Sequence, residues 1–284
     1  MNRNRTFGGI PNEYSSKESS NIFLQSIPYD GTSTWGKGAN KGFEAFMNAA
    51  DNMELYDIET QSEVYKRGIH ILPELTEYDS PESVFVSTYQ RTQELLNKGK
   101  FLTFWGGEHS VSIGVIKAFY EHYNDLTVLQ LDAHADLRPS YNGSPYNHAC
   151  AVYDASKNTN LIQVGIRSMD SSECQHMNYD KCYFDQAIQN DEIWMYKSID
   201  QMTDDVYITL DLDVLDPSIM PSTGTPEPGG LTWHSITKYL KKVFESRNVV
   251  GFDIVELCPI EGLRSPEFLA AKLYYKMLSY KFEL

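Results

Sequence analysis

Three short groups of polar residues in this chain have the types and spacing of a metal centre: Gly106-Gly-Glu-His109-Ser, Asp132-Ala-His134-Ala-Asp136 and Asp211-Leu-Asp213. His109, Asp132, His134, Asp136, Asp211 and Asp213 together offer four carboxylates and two imidazoles, with no thiolate. Such donors suit a borderline-hard divalent ion, and six are too many for one tetrahedral zinc, so two manganese-like ions sharing bridging carboxylates is the economical reading. Each residue alone has a blander explanation: His109 as a satisfied core or cap histidine, Asp211 and Asp213 as turn or N-cap acids. The grouping outweighs these, because clustered buried carboxylates without a cation would suffer repulsion and desolvation together.

The elements that must position these groups are visible as short apolar runs at Phe101–Trp105, Leu126–Leu131, Leu161–Val164, Val206–Leu210 and Val249–Val255, each of buried-strand length. Longer segments with helical spacing lie between or after them, at Ser83–Asn97, Ser112–Tyr123, Trp233–Ser246 and Pro266–Leu278. Alternating strands and helices predict an α/β fold of three layers, with a mostly parallel sheet covered on both faces. Such sheets bind ligands at the carboxyl ends of their strands, and each polar group directly follows a predicted strand. In extended backbone the carboxylates and imidazole of the second and third groups share one face.

The chain has 284 residues, 41% of them hydrophobic, which is enough for one large core and near the upper size of a single domain. One domain is expected over residues 22–284, preceded by a polar surface arm over residues 1–21. The formal net charge of −15, with no basic run, argues against nucleic acid and anionic membranes as partners; an acidic field would concentrate a cationic substrate, but a solvated surface kept soluble by charge accounts for most of these residues, and the charge alone decides nothing. Cys150, Cys174, Cys182 and Cys258 form no CxxC pair and no disulfide framework. With no long apolar stretch and no apolar segment behind the early arginines, a cytoplasmic protein is expected.

The same three groups, extended through Leu210–Leu231 (LDLDVLDPSIMPSTGTPEPGGL), resemble the signature blocks of the ureohydrolase family, which includes arginases and agmatinases. The resemblance runs from about Ser26-Ile-Pro-Tyr-Asp30 to the final helix. It implies an arginase-like fold, two Mn²⁺ ions per subunit and a homo-oligomer, a trimer or hexamer. By matching motif, His109, Asp132, Asp136 and Asp211 would hold one ion and His134, Asp132, Asp211 and Asp213 the other, with Asp132 and Asp211 as bridges. Glu108 stands where many relatives carry Asp, and Cys258 where they usually carry Asn before the proline.

Two close divalent ions lower the pKa of water enough to make hydroxide available near neutral pH. The resemblance assigns Glu256 to the guanidinium nitrogens, Asp136 to a hydrogen bond with the hydroxide, and His148, in the loop Tyr141–His148, to proton transfer, a task suited to an imidazole. The loop and Asp136-Leu-Arg138 look more like agmatinases than arginases, which makes agmatine the expected substrate, cleaved to putrescine and urea. Arg138 is the discordant residue: facing the pocket it would favour an acidic guanidino compound such as guanidinobutyrate, or formiminoglutamate, so with agmatine as substrate it is expected to face elsewhere. The competing readings are another ureohydrolase, a metal-binding paralogue without activity that serves assembly, and a two-metal phosphoesterase, for which the loops supply few cations.

Overall fold

The computed structural model describes residues 5–76 and 78–284. One eight-stranded sheet, parallel at every pairing, runs through the chain. Its strands are β1 (Ile22–Ile27), β2 (Ile69–Ile71), β3 (Phe101–Gly106), β4 (Thr127–Leu131), β5 (Asn160–Val164), β6 (Cys182–Tyr183), β7 (Asp205–Asp211) and β8 (Asn248–Val255). The order across the sheet is β2-β1-β3-β8-β7-β4-β5-β6. This is the α/β fold with a parallel sheet that the sequence predicted, with each expected strand inside one of these elements to within a residue. The two short edge strands, β2 and β6, carry too few residues for an apolar run to register.

Side-chain alternation along the strands splits the core into two apolar layers, one on each face of the sheet. Trp105, Leu129, Leu131, Ile208, Leu210 and Ile254 point to one face and pack with the helices Gly42–Ala50, Trp233–Ser246 and Ser265–Glu283. Phe104, Val128 and Tyr207 point to the other, toward the helices Pro81–Leu96 and Ser112–His122. Ser80 caps the helix Pro81–Leu96 in a capping box with Ser83, and Thr232 does the same with Ser235 for Trp233–Ser246, which fixes where each helix starts.

The surface arm is corrected in part. Residues 1–4 lie outside the described residues, but Phe7 and Ile10 are buried in the first core layer. Phe7 stacks on Tyr275 at 6.1 Å and lies 5.8 Å from Phe46 and 5.4 Å from Tyr274. The segment reads as polar on average, and its two large apolar residues decide its fate.

Phe46, fully buried, lies nearly parallel to Trp105 with ring centroids 3.7 Å apart, and meets Tyr274 edge-on at 5.2 Å. It thus ties the sheet to its first and last helices directly beneath the strand end that carries His109. Phe46→Ala is expected to lower stability by about 3–5 kcal/mol, the usual range for emptying such a site, read as a lower midpoint in urea unfolding.

Candidate functional site

Four neighbouring strands in the middle of the sheet, β3, β8, β7 and β4, deliver their carboxyl ends to one place. β3 is followed by Gly107–His109, β8 by Glu256, β7 ends in Asp211 before Asp213, and β4 is followed by Asp132–Asp136. A side chain at Gly107 would put its Cβ 1.8 Å from the Tyr29 carbonyl oxygen, so glycine is required where the two loops cross. That crossing lets the Glu108 amide donate to Tyr29 O at 2.9 Å.

The expected extended alternation does not produce the convergence. β4 ends at Leu131, and Asp136 has φ +51°, in the left-handed region. Asp211 caps a 3-10 turn, Leu212–Val214, its Oδ1 accepting from the Asp213 amide at 2.8 Å. Asp211 is therefore both the N-cap acid of the bland reading and a member of the cluster. Glu256 also sits at positive φ, +67°, and strained non-glycine residues of this kind gather at functional sites.

Ligand-type atoms fall into two sets that could each hold a metal ion, His109 with Asp132 and Asp211, and His134 with Asp132 and Asp213. Asp132 is common to both, as expected of a bridge, while Asp211 falls in the first alone. His109 Nδ1 lies 3.1 Å from Asp132 Oδ2, 3.3 Å from Asp136 Oδ2 and 3.4 Å from Asp211 Oδ2. His134 Nδ1 lies 2.9 Å from Asp213 Oδ2 and 3.7 Å from Asp132 Oδ1.

The residues fit a cation. His109 Nε2 is 2.9 Å from Thr209 Oγ1, whose hydroxyl donates to Asp253 Oδ1 at 2.7 Å. With its proton committed to Asp253, Thr209 can only accept from the imidazole, so Nε2 carries the hydrogen and Nδ1 presents a lone pair. Nδ1 is buried without a hydrogen-bond partner and faces three carboxylates, an arrangement that a positive ion at their centre would satisfy.

The electrostatics agree. Burial, then the charges of Asp213 and Asp132, push the Asp211 carboxyl well above its usual range. Burial, then Asp132, push Asp136 up to about 7. Burial alone would lower His109, but Asp132, Asp136 and Asp211 outweigh it and draw the imidazole well above its ordinary value; Asp213 and Asp132 do the same for His134. Burial would raise Asp132, yet the two imidazoles hold it down. Without a cation the cluster therefore holds protons that a metal would displace.

Residues that the sequence reading missed hold this arrangement from below. Gln130 donates to Asp132 Oδ2 at 2.8 Å and to His134 O at 3.2 Å, and takes a bond from Gln163 at 2.7 Å. Asp253 is buried and also accepts from the Tyr207 hydroxyl at 2.7 Å. Arg167 donates to the carbonyls of Asp213 at 2.6 Å and of Gly165 and Glu227 at 3.1 Å, pinning the Asp211–Asp213 turn. Gln130, Thr209 and Asp253 share one sequence signal, a polar residue inside an otherwise apolar strand.

Above the cluster opens a cavity of about 280 Å³ that also reaches Arg138, Tyr141, His148, Asp170, Glu173 and Glu256. Glu256 Oε1 accepts from the His109 amide at 2.8 Å, and burial, then Glu108 and Asp213, push its carboxyl well up. Burial, followed by the charges of His134, His109 and Arg138, lowers His148 to about 4. Contrary to the expectation that it faces elsewhere, Arg138 lines the cavity, held there because its guanidinium lies over the Tyr141 ring at 4.4 Å, 3.7 Å from Glu173 and 3.9 Å from Asp170. Glu108, the departure from the family pattern, is fully buried and accepts from the Ser110 amide at 2.9 Å and hydroxyl at 2.7 Å.

The family profile of the arginases matches residues 20–279. N(1)-aminopropylagmatine ureohydrolase of Thermus thermophilus is 34% identical over 268 residues, covering 93% of this chain and 91% of its own length. Agmatinase of Bacillus subtilis is 30% identical over 261 residues, 86% of this chain and 85% of its own. The solved agmatine ureohydrolase of Thermoplasma volcanium superposes with a TM-score of 0.88 at 28% identity, covering 98% of this chain and 95% of its own. Arginase from Bacillus subtilis, 23% identical, shares the fold with a TM-score of 0.76 over 91% of this chain and 98% of its own. With this extent of match and a carboxylate-imidazole cluster at the expected strand ends, the chain belongs to the arginase family, as a ureohydrolase acting on guanidino C–N bonds.

Proposed function

We infer that this protein hydrolyses agmatine to putrescine and urea with two Mn²⁺ ions held by His109, Asp132, His134, Asp136, Asp211 and Asp213. The observation that carries the substrate class is the cavity wall, which beside the candidate metal ligands contains the carboxylates of Asp170, Glu173 and Glu256 against the single guanidinium of Arg138. Because Arg138 lies close to Asp170 and Glu173, its charge is offset, and the wall favours a cationic guest over an acidic one. The divalent ions, when bound, supply Lewis acidity that makes hydroxide available near neutral pH.

The protein's own side chains account for the remaining steps. Glu256, held by the His109 amide through Oε1, lines the cavity. A guanidinium bound to it supplies the positive charge that its raised pKa calls for, and is fixed planar for attack at carbon. His148, neutral at pH 7, is suited to accept the proton of the hydroxyl on the tetrahedral carbon and deliver it to the departing nitrogen. The C–N pair then leaves on nitrogen as the free amine, and the carbon–oxygen double bond of urea forms.

The names of relatives favour a second reading. The Synechocystis protein, 30% identical over 270 residues and covering 91% of this chain and 88% of its own length, is called N(1)-aminopropylagmatine ureohydrolase, as is the Thermus protein. An aminopropyl extension adds another ammonium, which the acidic wall would also accommodate. Among the described residues no helix is long and apolar enough to cross a membrane.

Urea release by the Mn²⁺-loaded protein from agmatine, N(1)-aminopropylagmatine, arginine and guanidinobutyrate, with formamide followed for formiminoglutamate, tests the substrate. Agmatine is expected to give the highest kcat/KM and the acidic compounds the lowest. A tenfold preference for the aminopropyl compound would transfer the assignment to it, and preference for guanidinobutyrate would remove the argument from Arg138. Two variants separate the roles: His134→Ala is expected to lose bound metal and turnover together, whereas Glu256→Ala keeps the metal, by elemental analysis, and loses about a hundredfold or more in kcat/KM.

A further inference from the structure

Thr32 lies in the loop after β1, far in sequence from His148, and bonds to it twice. Its Oγ1 accepts from the His148 backbone amide at 3.0 Å and lies 2.9 Å from His148 Nδ1. The loop is itself anchored to the end of β3, because the Thr32 amide reaches Glu108 Oε1 at 3.4 Å and the Glu108 amide donates to Tyr29 O at 2.9 Å. Thr32 is 9% exposed, so water competes little for its hydroxyl. On its other side His148 meets the Tyr141 ring edge-on, with centroids 6.1 Å apart.

A hydroxyl is suited to this place because it can serve both protonation states of the imidazole. With one lone pair taken by the amide, its other lone pair accepts from Nδ1–H in the neutral ring and again in the cationic one, so that the neutral ring presents its lone pair at Nε2. Either way the ring keeps its orientation, and Nε2 is the nitrogen left for the cavity, which His148 lines.

We propose that Thr32 is a positioning residue that holds the His148 imidazole through its protonation cycle, an inference that rests on the reading of His148 as the proton-transfer group. Thr32→Val keeps the shape and removes the hydroxyl; Thr32→Ser restores it. The expected result is a fall in kcat of about tenfold or more for Thr32→Val, part of what a positioned proton donor contributes. KM and metal content should stay unchanged, and serine should return most of the rate. Placed on a His148→Asn background, Thr32→Val should add little further loss, because both changes would remove the same step.

Full kcat in Thr32→Val beside a strong loss in His148→Asn would overturn the role of Thr32 and leave that of His148 standing. Losses that multiply in the double variant would also overturn it, since Thr32 would then act independently. Undiminished turnover in His148→Asn would overturn the reading of His148 and this inference with it. Should the valine variant fail to fold, as judged by thermal unfolding, Thr32→Ala in the same cycle gives the same discrimination.

Discussion

Mutual repulsion among carboxylates that have been taken out of water governs the centre of this molecule. Asp132, Asp136, Asp211 and Asp213 stand at the ends of β4 and β7, all buried, with Asp211 forced toward protonation by burial and the charges of Asp213 and Asp132, and Asp136 by burial and Asp132. The two imidazoles relieve it only in part: they hold Asp132 down, while Asp211 and Asp136 stay raised. A compact positive charge does relieve it. The fold keeps the arrangement in place by making the strands parallel, so that every carboxyl end lies on the same edge of the sheet.

The support for the cluster extends down into the sheet. Gln130, Thr209 and Asp253 are polar residues inside β4, β7 and β8, and each has its hydrogen bonds met by a neighbour on an adjacent strand or on the adjoining loop. Buried polar networks of this sort are stable only when complete, and completeness also makes them rigid. Thr209 shows the effect: bonded below to Asp253, it determines which nitrogen of His109 carries hydrogen, two bonds away from the strand that bears the imidazole. Arg167 performs a corresponding task for the backbone of the Asp211–Asp213 turn.

Much of this was legible in the chain. The six candidate ligands, Glu256 and His148 all come to one cavity or its floor, and the central strands run where apolar stretches predicted them. Strand order was not legible, since hydrophobic periodicity says that β8 is buried but not between which neighbours. Nor was the local backbone: the alternation Asp-Ala-His-Ala-Asp suggests extended chain, whereas Asp136 turns into the left-handed region after the strand has ended. Phe7 was hidden by averaging over a polar stretch, and Thr32 by distance, since nothing in a loop threonine announces a histidine 116 positions away. Arg138 was ambiguous because its charge depends on Asp170 and Glu173, which a linear reading does not bring beside it.

The position of β8 has a consequence for how the chain acquires its site. Of the eight strands it is made last, yet it lies between β3 and β7, which do not pair with each other. Until residues 248–255 have left the ribosome, the chain can hold only two partial sheets, β2-β1-β3 and β7-β4-β5-β6, each with an unpaired inner edge of the kind that recruits foreign strands. His109 would wait on one and the aspartates on the other. Biogenesis is thus all-or-none at a late moment, and a nascent chain halted before that strand would be both inactive and prone to self-association.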